Sequence, residues 1–363
     1  MPAHLYLPVY LLIVSSMCFV TSVRYFSSSG FSFQQKNTSF IVPLIISLIF
    51  VFWLGDRPVS GIYFGDTSSY AHSYENDLLG GGKFGLNIEW FWNLIGILCK
   101  KVGFSVHVYF IIIEAIYILS VLWAVRLFVP SNPMLGMLFV FSSLMFFAFG
   151  TNGLRNGMAC HLTLLSLAFF LDEKKLPAAI LALLAFGTHR SVFLPIMGVL
   201  AARYFLRDFK LSLILWVVCI PVSLIAGGFF SNVFASLGFD DRMTNYLLNH
   251  NNDHFSHTGF RWDLLLYSIP PVLLGWYVLI KLQIKDDWFR ILCITYCLCN
   301  AFWILVIRVT FTNRFAYLSW FLYPIIFAYA LINIPIWQDQ DKKIGIILFA
   351  YVFFTVFMNV FIW

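Results

Sequence analysis

Charged side chains are scarce in this sequence. Asp, Glu, Lys and Arg make up 11% of its 363 residues, against about a quarter in an ordinary soluble domain. Hydrophobic residues make up 61% and aromatics 19%, and the mean hydropathy is +0.84. That balance excludes a soluble globular protein and leaves an integral membrane protein. No polar stretch is long enough to form a separate soluble domain. A cysteine framework is also missing. The seven cysteines (18, 99, 160, 219, 293, 297 and 299) lie almost all inside apolar runs, where cysteine behaves as a small hydrophobe. Cys293, Cys297 and Cys299 have no His or Asp beside them, so neither a metal nor another cofactor is expected. The first apolar run lacks a basic leader and a small-residue cleavage site, which reads as a span and not a signal peptide.

What is present is a succession of apolar runs, each near the ~17–25 residues that cross a bilayer. Roughly twelve can be drawn: 5–23, 39–54, 106–128, 134–149, 154–171, 176–188, 191–206, 211–229, 262–281, 287–308, 313–334 and 343–362. The expectation is an all-α, polytopic membrane protein with about 12 transmembrane helices, one integral domain over 1–363. The net charge of +6 belongs to short loops that alternate with the spans: Arg24 and Lys36, Arg126, Lys174 and Lys175, Arg203 with Arg207 and Lys210, Lys281 and Lys285, Lys342 and Lys343. Such residues anchor loops on the cytoplasmic side, and no nucleic-acid partner is expected. The opposite face then carries two long loops, 55–105 and 230–261, with an amphipathic or re-entrant helix in the first.

Arg155 stands out in this background. It is the sole charged residue between Leu127 and Leu171, and a cation at the mouth of two spans is expensive unless it is used. Asn152, Gly153 and Gly157 put a helix start beside it, and helix starts attract anions. Arg314, in FTNRFAYL, repeats the arrangement, with Thr312 or Asn313 as its cap. Glu114 lies inside a span and needs a partner, for which Arg155 and Arg314 are available. It reads either as a structural ion pair or as an orienting group for an active-site Arg. His189, at the break before Ser191, is a satisfied helix end or a proton acceptor. In 55–105, Arg57, Asp66, Tyr70 and Glu89 mix carboxylates with aromatic rings. That suits sugar binding as well as an interfacial belt. In 230–261, Arg242 and Tyr246 accompany His250, His254 and His257. Their spacing suggests zinc, but Asn249–Asp253 is turn-forming and weakens the helix that zinc binding needs.

Several of these strings resemble the EpsG / Wzy family of bacterial O-antigen and exopolysaccharide polymerases. The opening WLGDRPVSGIYFGDTSSY is similar to the family's Arg, Gly-Asp and Tyr, here Arg57, Gly65–Asp66 and Tyr70. Glu89 with its aromatic helix resembles a Glu-x-x-Phe region that lacks its usual Pro. GLRNGMACHL resembles an Ile-Arg-Gln helix with Arg155 at the Arg and Asn156 in place of Gln. LLAFGTHRSVFLP places His189 at the family His, and NRFAYL places Arg314 and Tyr317 at an Arg-x-x-x-Tyr segment.

The resemblance implies a GT-C-like helical bundle in the bacterial inner membrane, with its active site facing the periplasm. It implies transfer of a growing glycan from undecaprenyl diphosphate onto a lipid-linked repeat unit, without a metal. Arg155, His189, Asp66 and Arg314 would be catalytic. Arg57, Tyr70, Glu89 and Tyr317 at the matched positions would bind substrate, joined by Glu114, Arg242 and Tyr246, which the resemblance does not cover and the chain's own pattern suggests. Besides undecaprenyl-diphosphate-linked oligosaccharides and membrane lipids, a chain-length regulator co-polymerase and a flippase are the partners implied. A flippase or transporter, and an O-antigen ligase, remain the alternative readings.

Overall fold

The computed structural model describes residues 1–27, 38–76, 89–236, 259–309 and 311–362. All regular structure among them is helical. Eight helical stretches are long and apolar enough to cross a membrane, and two further apolar helices are shorter, where the apolar runs suggested about twelve crossings. Four runs account for the difference: 39–54 and 176–188 form the two shorter helices, and two others are broken. The run 134–149 is split into two short helices, and 191–206 is a short helix between a tight 3₁₀ turn and a wide π turn. The chain forms two compact units, Met1–His189 with Phe327–Trp363, and Arg190–Ile326.

The first unit holds α1 (Tyr6–Phe26), α2 (Ile41–Gly55), α3 (Gly61–Phe64), α4 (Thr67–Glu75), α5 (Trp90–Val102), α6 (Val106–Phe128), α7 (Pro133–Phe141), α8 (Phe146–Thr151), α9 (Leu154–Leu171) and α10 (Lys175–Thr188). Asn132 starts α7, its side chain accepting from Leu135 N with Pro133 in the first turn, where a missing N–H costs nothing. Along the packed core, α2 lies on α6, α6 on α9, and α9 on α10.

A membrane interior tolerates a broken helix only where the exposed carbonyls find donors. Beside the break between α7 and α8, the carbonyl of Phe141 accepts from the Tyr10 hydroxyl (2.5 Å), that of Ser142 from Thr355 (2.7 Å) and that of Phe146 from Tyr117 (2.9 Å). The same tyrosines carry the aromatic core, with Tyr117 stacked on buried His161 at 4.1 Å.

The second unit holds α11 (Phe193–Leu200), α12 (Phe209–Ser236), α13 (Trp262–Gly275), α14 (Asp287–Leu305) and α15 (Thr312–Trp320). Helix α12 contains Pro221 and departs from helical geometry at Ala226, and α13 contains Pro270 and Pro271. A buried polar knot ties these helices. The Asn300 amide on α14 accepts from Trp216 of α12 and donates to Ser319 of α15 and Ser268 of α13. Trp320 donates to the same Ser268 hydroxyl. Such pairs are worth about 0.6 kcal/mol each in a membrane, and they fix the rotation of each helix. Helix α16 (Tyr323–Asn333) begins in this unit and ends in the first, where α17 (Gln340–Phe357) packs on α1. All seven cysteines are buried and unbridged.

The expected outer segment 55–105 is largely helical where described. Helix α5 buries Trp92, Ile95, Gly96 and Cys99, one face at helical spacing, as the amphipathic reading requires. Of 230–261, residues 237–258 lie outside the described residues. That stretch includes Arg242, Tyr246 and the three histidines.

Candidate functional site

Arg155 is the second residue of α9, and no side chain caps the helix start. Its guanidinium forms an ion pair with the Glu89 carboxylate. Its Nε donates to the Tyr70 hydroxyl at 3.3 Å, and its Cζ lies 5.2 Å from the Tyr70 ring centre. The Tyr70 ring meets Trp92 at 5.2 Å. The two charged side chains are 11% and 19% exposed, so the pair is partly exposed at the surface of the first unit. Glu89 precedes α5 with φ 65° and ψ 35°, a left-handed conformation costing a non-glycine residue about 1–2 kcal/mol.

Asp66 is joined to the same place through Asn152. The Asn152 carbonyl oxygen accepts from the Asp66 backbone N–H at 2.8 Å. Gly65 makes this approach possible. Its φ is +47°, and a Cβ there would collide with the Asn152 amide. Asp66 begins α4, the helix that also carries Tyr70. Lys100 on α5 closes the far end of α4, donating to the carbonyls of Tyr74 and Glu75 at 2.9 Å. That is where a cation complements the helix dipole.

Beneath this surface lies a second ion pair. Arg57 and Glu114 are both 0% exposed and 2.9 Å apart. The partner of Glu114 is thus Arg57, not Arg155 or Arg314. Arg57 also donates to the carbonyls of Leu54 (2.6 Å) and Thr151 (3.2 Å) and to the Thr67 hydroxyl (3.2 Å). Thr67 donates to the Thr151 carbonyl as well. Burial draws the guanidinium below its ordinary pKa, and Glu114 works against that shift; an arginine stays a cation. Complete burial does not fit the expectation that Arg57 and Glu114 touch substrate. They join the end of α2 to α6, to the start of α4 and to the end of α8. The last two adjoin Asp66 and Arg155.

His189 ends α10 in extended conformation, its N–H bonded to the Ala185 carbonyl at 3.0 Å. Two residues earlier Gly187 receives the Trp90 indole, which leaves no room for a Cβ. Because Trp90 follows Glu89, this contact brings the end of α10 against the start of α5.

In the second unit Arg314 sits in the first turn of α15, its Cζ 5.0 Å from the Phe311 ring. No side chain caps this helix, and Phe311 at its start has φ 55°. Thr312 instead accepts from Trp303 Nε1 at 2.8 Å. Tyr317 is buried, 3% exposed. Among the described residues, no three His, Cys, Asp or Glu side chains gather as metal ligands.

Arg155, Glu89 and Tyr70, each singled out in the sequence, therefore meet at one end of the first unit, and Asp66 heads the helix that carries Tyr70. Thr67, Thr151, Trp90 and Trp92 were missed, and Asn152 was read only as part of a helix start. Trp90 and Trp92 had a signal in the Trp-x-Trp that follows Glu89. The threonines had none, since their role depends on a buried arginine. The arrangement offers a fixed cation, aromatic faces and carboxylates, which suits an anionic ligand carrying a sugar.

No curated protein and no solved structure matches the chain. The sequence model of the EpsG family matches residues 40–363, a stretch that holds every element of the Arg155 cluster. The chain is a membrane protein of the EpsG family.

Proposed function

We propose that this protein is a polysaccharide polymerase of the O-antigen or exopolysaccharide type. It would move a growing glycan from undecaprenyl diphosphate onto the terminal sugar hydroxyl of a lipid-linked repeat unit, at the periplasmic face of the inner membrane and in a GT-C-like bundle. Membership of the EpsG family supports a polymerase in general. The observation that carries the mechanism is Arg155, placed at an uncapped helix start beside Tyr70 and the Glu89 carboxylate.

Cleaving a glycosyl–diphosphate bond leaves negative charge on the diphosphate. A fixed guanidinium and the positive end of a helix dipole stabilise that charge as it forms. The half-buried Tyr70 ring, backed by buried Trp92, offers a flat apolar face to a sugar. Arg314, at the first turn of α15 in the second unit, is a separate cation of the type that suits phosphate. The acceptor hydroxyl must lose a proton, and Asp66, His189 and Glu89 are the groups suited to receive it. Arg57 and Glu114 act through the segments they hold. The chemistry proposed asks nothing of a metal.

Arg155→Ala in a polymer-producing strain should remove long chains and leave single repeat units, with the protein still in the membrane. Arg155→Lys should fail as well, because lysine lacks the fork that grips phosphate oxygens two at a time. Normal long-chain product from Arg155→Ala sinks the assignment. Loss of every repeat unit points instead to a flippase or a ligase.

A further inference from the structure

Arg155 is already occupied. Its guanidinium carries the Glu89 carboxylate, the same kind of group a diphosphate would present. On the polymerase reading above, on which this step rests, donor and Glu89 compete for one cation. We propose that Glu89 is the catalytic base of the transfer, and that the donor diphosphate sets it free by taking Arg155.

Three observations bear on Glu89. First, its pair with Arg155 is open to a ligand, with 11% and 19% of the side chains exposed, whereas Arg57 and Glu114 are sealed at 0% each. Only the open pair can exchange one anion for another. Second, Glu89 holds a left-handed backbone, φ 65° and ψ 35°, without being glycine. Strain of this kind persists where the surroundings impose it, and it concentrates at working sites. Third, the neighbouring residues are pinned. Trp90 seats in the space over Gly187, and Trp92 is 3% exposed against Tyr70 and Tyr109. With the backbone held on that side, the carboxylate is the part free to move.

The step balances simply. The acceptor hydroxyl oxygen forms a bond to the anomeric carbon of the donor sugar as the bond from that carbon to the diphosphate oxygen breaks. The electron pair of the broken bond stays on the diphosphate, held by Arg155. The hydroxyl proton passes to the Glu89 carboxylate. When undecaprenyl diphosphate leaves, the proton passes to water and Glu89 returns to Arg155. A base that is released only when donor is present does not activate acceptor hydroxyls in its absence.

The test uses the full-length protein in lipid nanodiscs, with undecaprenyl diphosphate as the binding probe and lipid-linked repeat units as substrate. Glu89→Gln keeps the shape and removes the competing charge. It should bind undecaprenyl diphosphate about fivefold more tightly than wild type, the effect of deleting one modest ion pair. It should polymerise about 10²–10⁴-fold more slowly, the usual contribution of a general base. Arg155→Ala should lose both binding and polymerisation. Polymerisation by Glu89→Gln within a few-fold of wild type overturns the base assignment. Unchanged or weaker binding overturns the release, and can be read whether or not the wild type elongates. Tight binding by a wild type that makes no polymer counts against the polymerase reading alone.

Discussion

Arg57 and Arg155 are the same residue type doing opposite jobs. One is 0% exposed and spends its donors on Glu114, Thr67 and main-chain carbonyls, while the other is partly open with one carboxylate partner. Removing one member of a buried pair leaves the other charged and alone, at a cost of about 3–5 kcal/mol. Glu114→Ala should therefore lower the thermal midpoint of detergent-solubilised protein sharply. The double variant Arg57→Met with Glu114→Met should recover most of that loss, since paired apolar replacements are commonly tolerated. A double variant as unstable as Glu114→Ala counts against the pair as the source of the loss. The pairing itself was not legible in the sequence. Glu114 visibly needed a cation, but the sequence pointed to Arg155 and Arg314, and the partner is Arg57. The choice of Arg57 depends on how the chain turns after α2, bringing together residues 57 positions apart. Arg155, by contrast, could be read directly, because it stands alone in a long uncharged stretch.

At the scale of elements, apolar periodicity marked the long helices well and the short ones poorly. Residues 134–149 form an apolar run interrupted only by Ser142 and Ser143, and the helix breaks there, over Ser142–Met145. What permits the break is a set of hydroxyl donors from Tyr10, Tyr117 and Thr355, which no local pattern announces. The amphipathic α5 was legible from its spacing, but its seat was not. That seat is Gly187, where the Trp90 indole occupies the place of a side chain. Gly187→Ala should push α5 off α10, disturb the start of α5 at Glu89 and shorten the polymer, with the protein still folded. Trp90→Phe in the same chain should restore part of the length by freeing space. Gel profiles of the polymer would show this, and unchanged chain length in Gly187→Ala would refute the seat.

For the molecule as a whole, composition alone identified a helical membrane protein, and the EpsG family match over 40–363 agrees with the resemblance carried by its short motifs. The alternation of basic loops gives each face a testable side. Ile62, 89% exposed, lies just before Asp66 and should be outside, while exposed Glu173, beside Lys174 and Lys175, should be inside. In intact cells a membrane-impermeant thiol reagent should label Ile62→Cys, and Glu173→Cys only after the membrane is opened. The reverse pattern would place the Arg155 cluster on the cytoplasmic side.

The seven native thiols are buried and unbridged, and this has a consequence beyond packing. Disulfides form and persist in oxidising compartments such as the periplasm. A protein proposed to work facing that compartment keeps its sulfur out of reach of oxidants and of other proteins' thiols. Its maturation is then indifferent to redox state, needing neither a disulfide to be made nor a stray one to be repaired.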